Sequence, residues 1–229
     1  MIEKKYTIGL IHATMNSVQP ILDAFRQHAP QAVLINFMDE SLIYDLNKKG
    51  HVTKDMTRRL LAMAGKAEDS GVDGILLTCS SFTPVVSDIS HLFQTPMLSA
   101  DMSMLEKAVE IGGRIGVIAT VPAAGPTTTA LLKKLADQHK KEIQVETIVI
   151  PEAFHALQKG KRGLHDELIH QKVQELSAHC DVLLFAQFSM ARALQTLDVK
   201  TKPILTSPEI SVKSIIAEIE RREVVLDQR

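Results

Sequence analysis

Residues 73–82 read DGILLTCSSF, and residues 181–190 read DVLLFAQFSM. Each segment opens on Asp, runs through apolar residues and reaches a polar residue six places on. That residue is Cys79 in the first copy and Gln187 in the second, 108 residues apart. The repeat extends outward in both directions. IGLIHAT (8–14) matches IGVIATV (115–121) at an offset of 107, and TPMLSADMSMLEKAVEIG (95–112) matches KPILTSPEISVKSIIAEIE (202–220), with Pro96 and Pro203 also 107 apart. Three matched segments in one order mark a duplicated unit. Its halves set a reactive thiol and an inert amide at equivalent positions.

Strand-sized apolar runs fall at 7–11, 33–37, 74–77, 97–99, 115–119, 145–150, 182–185 and 204–206. Segments of helical period lie between them, over 18–28, 54–70, 102–111, 129–139, 166–178 and 209–222. Strands apolar on both faces that alternate with amphipathic helices predict parallel sheets covered on both sides. The predicted class is α/β: two pseudo-symmetric lobes, each a mainly parallel four-stranded sheet flanked by helices, with the active site in the cleft between them. The expected lobes are 1–100 plus 208–229 and 101–207, the last helix crossing back onto the first lobe.

Composition narrows the function. The 229 residues carry a formal net charge of −1, 45% apolar residues, 4% aromatics and no Trp. Nothing here marks a nucleic-acid or membrane surface, and stacking platforms for bases are not expected. No apolar run reaches bilayer length. The start MIEKKYTIGLI lacks the apolar core and cleavage site of a signal peptide. Two cysteines do not make a disulfide framework, so a reducing, cytoplasmic setting is expected. Glycine-rich nucleotide motifs are missing, and no His, Cys, Asp or Glu cluster has metal-ligand spacing, so neither cofactor nor metal is expected.

In parallel α/β sheets chemistry gathers at the carboxyl ends of strands. That rule selects His12, Thr14 and Asn16; Met38, Asp39 and Glu40; Cys79, Ser80 and Ser81; Ser99 and Asp101; Thr120; Pro151 and Glu152; Gln187 and Ser189; and Thr206 and Ser207. Cys79 leads the selection. A helix expected near Pro84, capped by Ser81 or Thr83, turns its N-terminus toward the thiol and favours thiolate. The N–H groups there and the Ser80 and Ser81 hydroxyls suit a carboxylate. A thiolate beside a bound carboxylate fits proton abstraction or nucleophilic attack, and the competing reading is a small buried hydrophobe. Cys180 precedes its strand, at the end opposite Gln187, and reads as a packing residue.

His12 ends the first strand and is the candidate for a second acid/base, set against an ordinary hydrogen-bonded histidine. Thr120 and Thr127 are candidate carboxylate ligands, Thr127 from the loop AAGPTTT, where a helix cap is the alternative. Glu152 and His155 read as a solvated loop, His165 with Asp166 as a helix start, and Asp101 as a helix cap. Asp39 and Glu40 read as turn and cap acids rather than a magnesium site.

On the segments DGILLTCSS and IGVIAT, the chain resembles the Asp/Glu racemase superfamily, which includes aspartate, glutamate and hydantoin racemases, arylmalonate decarboxylases and maleate isomerases. Its members have two similar lobes with a cysteine in each, following a D-x-I-x-L-x-C pattern. The resemblance covers nearly the whole chain and implies cofactor-independent chemistry at a carbon beside a carboxylate. This sequence departs from the pattern at Gln187, since an amide relays no protons at neutral pH. The segment AQFSM then implies a branch lacking the second-lobe cysteine, in which Gln187 and Ser189 bind substrate.

The expected function is an isomerase, racemase or decarboxylase of amino-acid type metabolism acting on a small carboxylate, with Cys79 as acid/base or nucleophile and Asn16, Ser80, Ser81, Thr120, Thr127, Gln187 and Ser189 as binding residues. The alternatives are a two-base racemase or epimerase pairing His12 with Cys79, and a carboxylate-binding protein without catalysis. A homodimer is expected from the resemblance.

Overall fold

The architecture follows from the eight short strands among the described residues, each of which leads into a helical segment. In this computed structural model, residues 5–197 and 202–227 are described. The strands are β1 (Thr7–His12), β2 (Val33–Met38), β3 (Gly74–Leu77), β4 (Met97–Ser99), β5 (Arg114–Ala119), β6 (Gln144–Val149), β7 (Val182–Phe185) and β8 (Ile204–Thr206). The helices are α1 (Val18–His28), α2 (Ser41–Lys49), α3 (Lys54–Asp69), α4 (Thr83–Ile89), α5 (Met102–Ile111), α6 (Ala124–Gln138), α7 (Pro151–Gln158), α8 (Arg162–Ser177) and α9 (Ser207–Asp227). They form two four-stranded sheets, ordered β2-β1-β3-β4 and β6-β5-β7-β8. Every pairing is parallel. None of the described helices is long and apolar enough to cross a membrane.

The chain divides into two compact units, Met1–Ala100 with Pro208–Arg229, and Asp101–Ser207. In the first, α9 lies on the sheet beneath it. A Cβ at Gly74 would come within 2.9 Å of Ile219 and 3.1 Å of Ile215. Arg222 Nη1 donates to the Gln94 carbonyl at 2.7 Å, and the Tyr6 hydroxyl donates to Glu223 at 3.2 Å.

Both units are built around a buried central pair, β1 with β3 and β5 with β7. The Asp that opens each repeated segment fastens this pair. Asp73 accepts the Thr7 N–H at 2.7 Å and returns its own N–H to the Thr7 carbonyl at 2.7 Å. Asp181 accepts the N–H of Arg114 at 2.7 Å and of Gly113 at 3.2 Å, and donates to the Arg114 carbonyl at 2.8 Å. The conspicuous acids of the repeat therefore sit at the amino ends of the strands, as staples.

The helices pack through spaced apolar faces. In α3, Met56, Leu60, Ala64 and Ala67 are buried, and Thr53 caps the helix by accepting the Met56 N–H at 3.4 Å. Two further helices appear, α2 and α7, the second where the sequence suggested a loop. α2 ends at Gly50, whose φ of 75° suits glycine, and α7 opens on Pro151, a first-turn position that needs no N–H donor. α6 begins at Ala124, ahead of the expected 129, because Pro126 falls in its first turn and Gly125 lets that turn rest on β6. A Cβ at Gly125 would meet Val149 at 2.7 Å. Similarly, α8 starts at Arg162, four residues earlier than the periodicity suggested.

Glycine also sets the close approach on β5. A Cβ at Gly116 would lie 2.5 Å from Leu183 Cδ2 and 3.2 Å from Cys180 Sγ. Gly116→Val should therefore overpack this layer and lower stability by about 1–3 kcal/mol in urea unfolding. Gly65→Ala is the contrasting case. Gly65 is inside α3 with open space around its Cα, and the change should stabilise by about 0.5–1 kcal/mol.

Candidate functional site

The two copies of the repeated segment end in the same way. The last rung of each central pair is Thr78 N–H to the Ile11 carbonyl at 3.0 Å, and Ala186 N–H to the Ile118 carbonyl at 2.9 Å. The next residues, Cys79 and Gln187, keep an extended backbone, with φ of −118° and −134°. Each then accepts at its carbonyl from an N–H three residues on, Phe82 at 3.0 Å and Met190 at 3.1 Å, which begins a 3-10 turn. Thiol and amide thus leave their own sheets at equivalent points.

In the first unit, Cys79 is 8% exposed and Ser80 and Ser81 are buried. The expected cap is not formed. Residues 80–82 make the 3-10 turn, Thr83 is already helical, and Pro84 lies in the first turn of α4. Phe82 takes the N-cap position of α4 and makes no side-chain capping hydrogen bond, because the 3-10 turn runs directly into the helix.

His12 is fully buried at the end of β1. Its Nδ1 lies 2.8 Å from Thr78 Oγ1 and 3.2 Å from Ser17 Oγ, and its Nε2 lies 2.9 Å from Asn36 Oδ1. The Asn36 carbonyl oxygen only accepts, so Nε2 carries the proton and Nδ1 accepts from a hydroxyl. Burial holds this ring below the ordinary histidine pKa, with the Asn36 bond acting the other way. Both nitrogens are engaged, and the network ties the end of β1 to the residue before Cys79. Asn36 and Thr78 were not singled out in the sequence, although a lone Asn within the strand VLINFM was a visible signal.

In the second unit, Gln187 Oε1 accepts the Thr120 N–H at 2.6 Å and the Thr120 hydroxyl at 3.1 Å. The opposite amide orientation would set two donors face to face, so the backbone N–H fixes the assignment. The Gln187 NH2 is left pointing away as a donor, and its Nε2 is buried without a partner. Thr120 therefore orients Gln187. Thr127 stands inside α6, not in a loop, and its hydroxyl donates to the Ala123 carbonyl at 2.8 Å, which leaves no proton for a carboxylate. Ser189 is buried in the 3-10 segment that follows Gln187.

Other selected residues have structural partners. Asp39 binds Arg59 at 2.6 Å and the Ser41 hydroxyl at 2.6 Å, and Glu40 accepts the Met15 N–H at 3.3 Å. Glu152 and His155 are exposed on α7, and Asp101 stands at the N-cap of α5, where its side chain makes no capping bond.

Among the described residues, five buried side-chain atoms have no hydrogen-bond partner: Asn16 Nδ2, Ser99 Oγ, His165 Nε2, Gln187 Nε2 and Ser207 Oγ. Four of these residues end a strand or follow one closely. The fifth, His165, is in the first turn of α8, the helix that returns from the carboxyl end of β6 to the start of β7. Its Nδ1 lies 2.8 Å from Asp166, which also binds Arg192 at 2.6 Å from the segment after β7. An unpaired buried polar group costs about 1–3 kcal/mol, and native proteins hold few. Within each unit they collect at the carboxyl end of the sheet, where a polar ligand would repay them. Arg192 and the unpaired His165 nitrogen were invisible to sequence spacing.

Two outcomes test this geometry. Thr78→Val keeps the shape but removes a partner of buried His12, and should cost about 1–3 kcal/mol in chemical unfolding. Burial lowers the pKa of both His12 and His165 below 6.5. The unfolded chain then binds more protons than the native one as pH falls below 6.5. Stability is complete above that value and declines beneath it, which melting temperatures taken across this range will show.

Comparison with known proteins follows the same lines. Residues 8–215 match the sequence profile of the Asp/Glu/Hydantoin racemase family. A search of curated proteins finds no match. Among solved structures, a glutamate racemase from Bacillus anthracis superposes with a TM-score of 0.72 at 11% identity, covering 95% of this chain and 82% of that one. Allantoin racemase from Klebsiella pneumoniae gives 0.71 at 16% identity, covering 94% and 88%. An aspartate racemase homologue from Pyrococcus horikoshii gives 0.67 at 16% identity, covering 94% and 99%. These similarities concern the fold, two parallel α/β units of one topology, while the profile spans nearly the whole chain: the protein belongs to the Asp/Glu/Hydantoin racemase family.

Proposed function

We propose that this family member is a cofactor-independent isomerase of racemase type that acts on a small carboxylate, with Cys79 as acid, base or nucleophile. The observation that carries the reading is the locked amide of Gln187. Its oxygen is held by Thr120, so two N–H bonds are presented as donors where the repeat places a thiol in the other unit. Such donors suit a carboxylate and cannot shuttle protons. Cys79, with Ser80 and Ser81 beside it, supplies the reactive group. A thiolate removes the proton from the carbon next to the carboxylate and the thiol returns it; the same thiol can protonate the carbanion left by loss of CO2. Asn16 and Ser189 complete the binding set, and a cytoplasmic homodimer completes the proposal.

Inversion needs a second acid/base. His12 can serve only by giving up Asn36 or Thr78. A specific observation favours His165. With its Nδ1–H donating to Asp166, its Nε2 is the bare, unpaired nitrogen, the arrangement in which a carboxylate orients a histidine base.

The test is proton NMR of the protein in D2O with a panel of small mono- and dicarboxylates, followed by chiral analysis. Deuterium incorporation or product that disappears in Cys79→Ala is the expected result. Gln187→Glu should raise KM at least about tenfold, the scale of one charge-assisted hydrogen bond. Loss of inversion with retained exchange in His165→Gln, but not in His12→Gln, would assign the second base. Binding without any Cys79-dependent change would return the protein to a carboxylate-binding role.

A further inference from the structure

At the opposite end of the second sheet the fold assembles a different set of groups. Glu146 of β6, His179 and Cys180 each offer one donor atom, and the three atoms lie within 4.8 Å of one another. The sequence spacing hid this set, since Glu146 is 33 residues from His179. His179 Nε2 is 2.7 Å from Glu146 Oε2, both residues being exposed. The Cys180 thiol beneath them is buried.

The backbone holds these donors in place. The turn after α8 is fixed by the N–H groups of His179 and Cys180, which both donate to the Leu176 carbonyl, at 3.2 and 2.9 Å. Asp181, the next residue, is stapled to Arg114 and Gly113. Glu146 pairs in register with Gly116, and the missing side chain of Gly116 leaves the room that Cys180 Sγ occupies, 3.2 Å from where a Cβ would stand.

We propose that Glu146, His179 and Cys180 form a binding site for a zinc-type divalent metal ion. One thiolate sulfur, one imidazole nitrogen and one carboxylate oxygen, with water as the fourth ligand, make a tetrahedral set for zinc at about 2.3, 2.0 and 2.0 Å. At those lengths the ring nitrogen and the carboxylate oxygen stand roughly 3.3 Å apart, so the present hydrogen bond opens by less than an ångström. On binding, the Cys180 thiol releases its proton to solvent and the sulfur–metal bond replaces the S–H bond. Thiolate and carboxylate together balance the dication. Burial and the Glu146 charge raise the thiol pKa, and Arg114 opposes this; a dication removes that penalty. Cys180 precedes β7 and Gln187 follows it, so the ion would tie the α8–β7 turn to edge strand β6 and take no part in the carboxylate chemistry.

Cobalt(II) titration of the full chain tests the site, since a tetrahedral thiolate complex has visible and near-ultraviolet bands that zinc then displaces. One ion per chain is expected. The bands should persist in Cys79→Ser and vanish in Cys180→Ser. His179→Ala and Glu146→Gln should weaken binding at least about tenfold, the scale on which even outer-shell partners act. Those two positions are exposed, so they keep the test decisive if Cys180→Ser does not fold. No thiolate band, a band that follows Cys79, or affinity unchanged in both exposed variants would overturn the proposal.

Discussion

The rung between Thr78 and Ile11, and its counterpart between Ala186 and Ile118, set the rest of the structure. Each is the last hydrogen bond of a buried parallel pair. Beyond it the chain turns, and the next side chain is released at the carboxyl edge of the sheet. The register that fixes this rung comes from the other end, where Asp73 and Asp181 hold the strand starts. A slip of one residue would send Cys79 or Gln187 to the opposite face. The staples and the strand-end positions are therefore one device, seven residues long, used twice.

Duplication conserves the geometry and leaves the chemistry to diverge. In one unit the device ends in a thiol, behind which His12, Thr78, Ser17 and Asn36 form a closed polar network. In the other it ends in an amide whose oxygen is tied to Thr120. The amide's remaining donors cannot carry a proton, so the proposed reaction would draw any second acid/base from the elements around the strand end. His165, Asp166 and Arg192 are the polar cluster that α8 and the segment after β7 bring there. Their meeting depends on α8 running back along the sheet, not on nearness in sequence.

The same economy explains the glycines of the second unit. Gly116 stands where a strand, a helix and a buried sulfur crowd one another, and Gly125 where a helix rests on strand side chains; a methyl group at either would collide with a neighbour. Close layers bring side chains from distant segments together, as the donor atoms of Glu146, His179 and Cys180, within 4.8 Å of one another, show.

By itself, the sequence determined the repeat, the α/β class, the strands and the positions at their ends. Those features are written in local periodicity and in matched spacing, which need no knowledge of distant contacts. What depends on packing lies outside it. Thr127 looked like a loop hydroxyl because a glycine and a proline precede it, yet both are admitted in the first turn of a helix that rests closely on β6. His12 looked like an available base because it ends a strand, but residues 24 and 66 places away occupy its ring. The direction of the Gln187 amide, the unpaired nitrogen of His165 and the Glu146–Cys180 cluster were decided only by tertiary structure. Hydrogen-bond partners and donor distances are set by which segments the sheet lays side by side, and no local pattern encodes them.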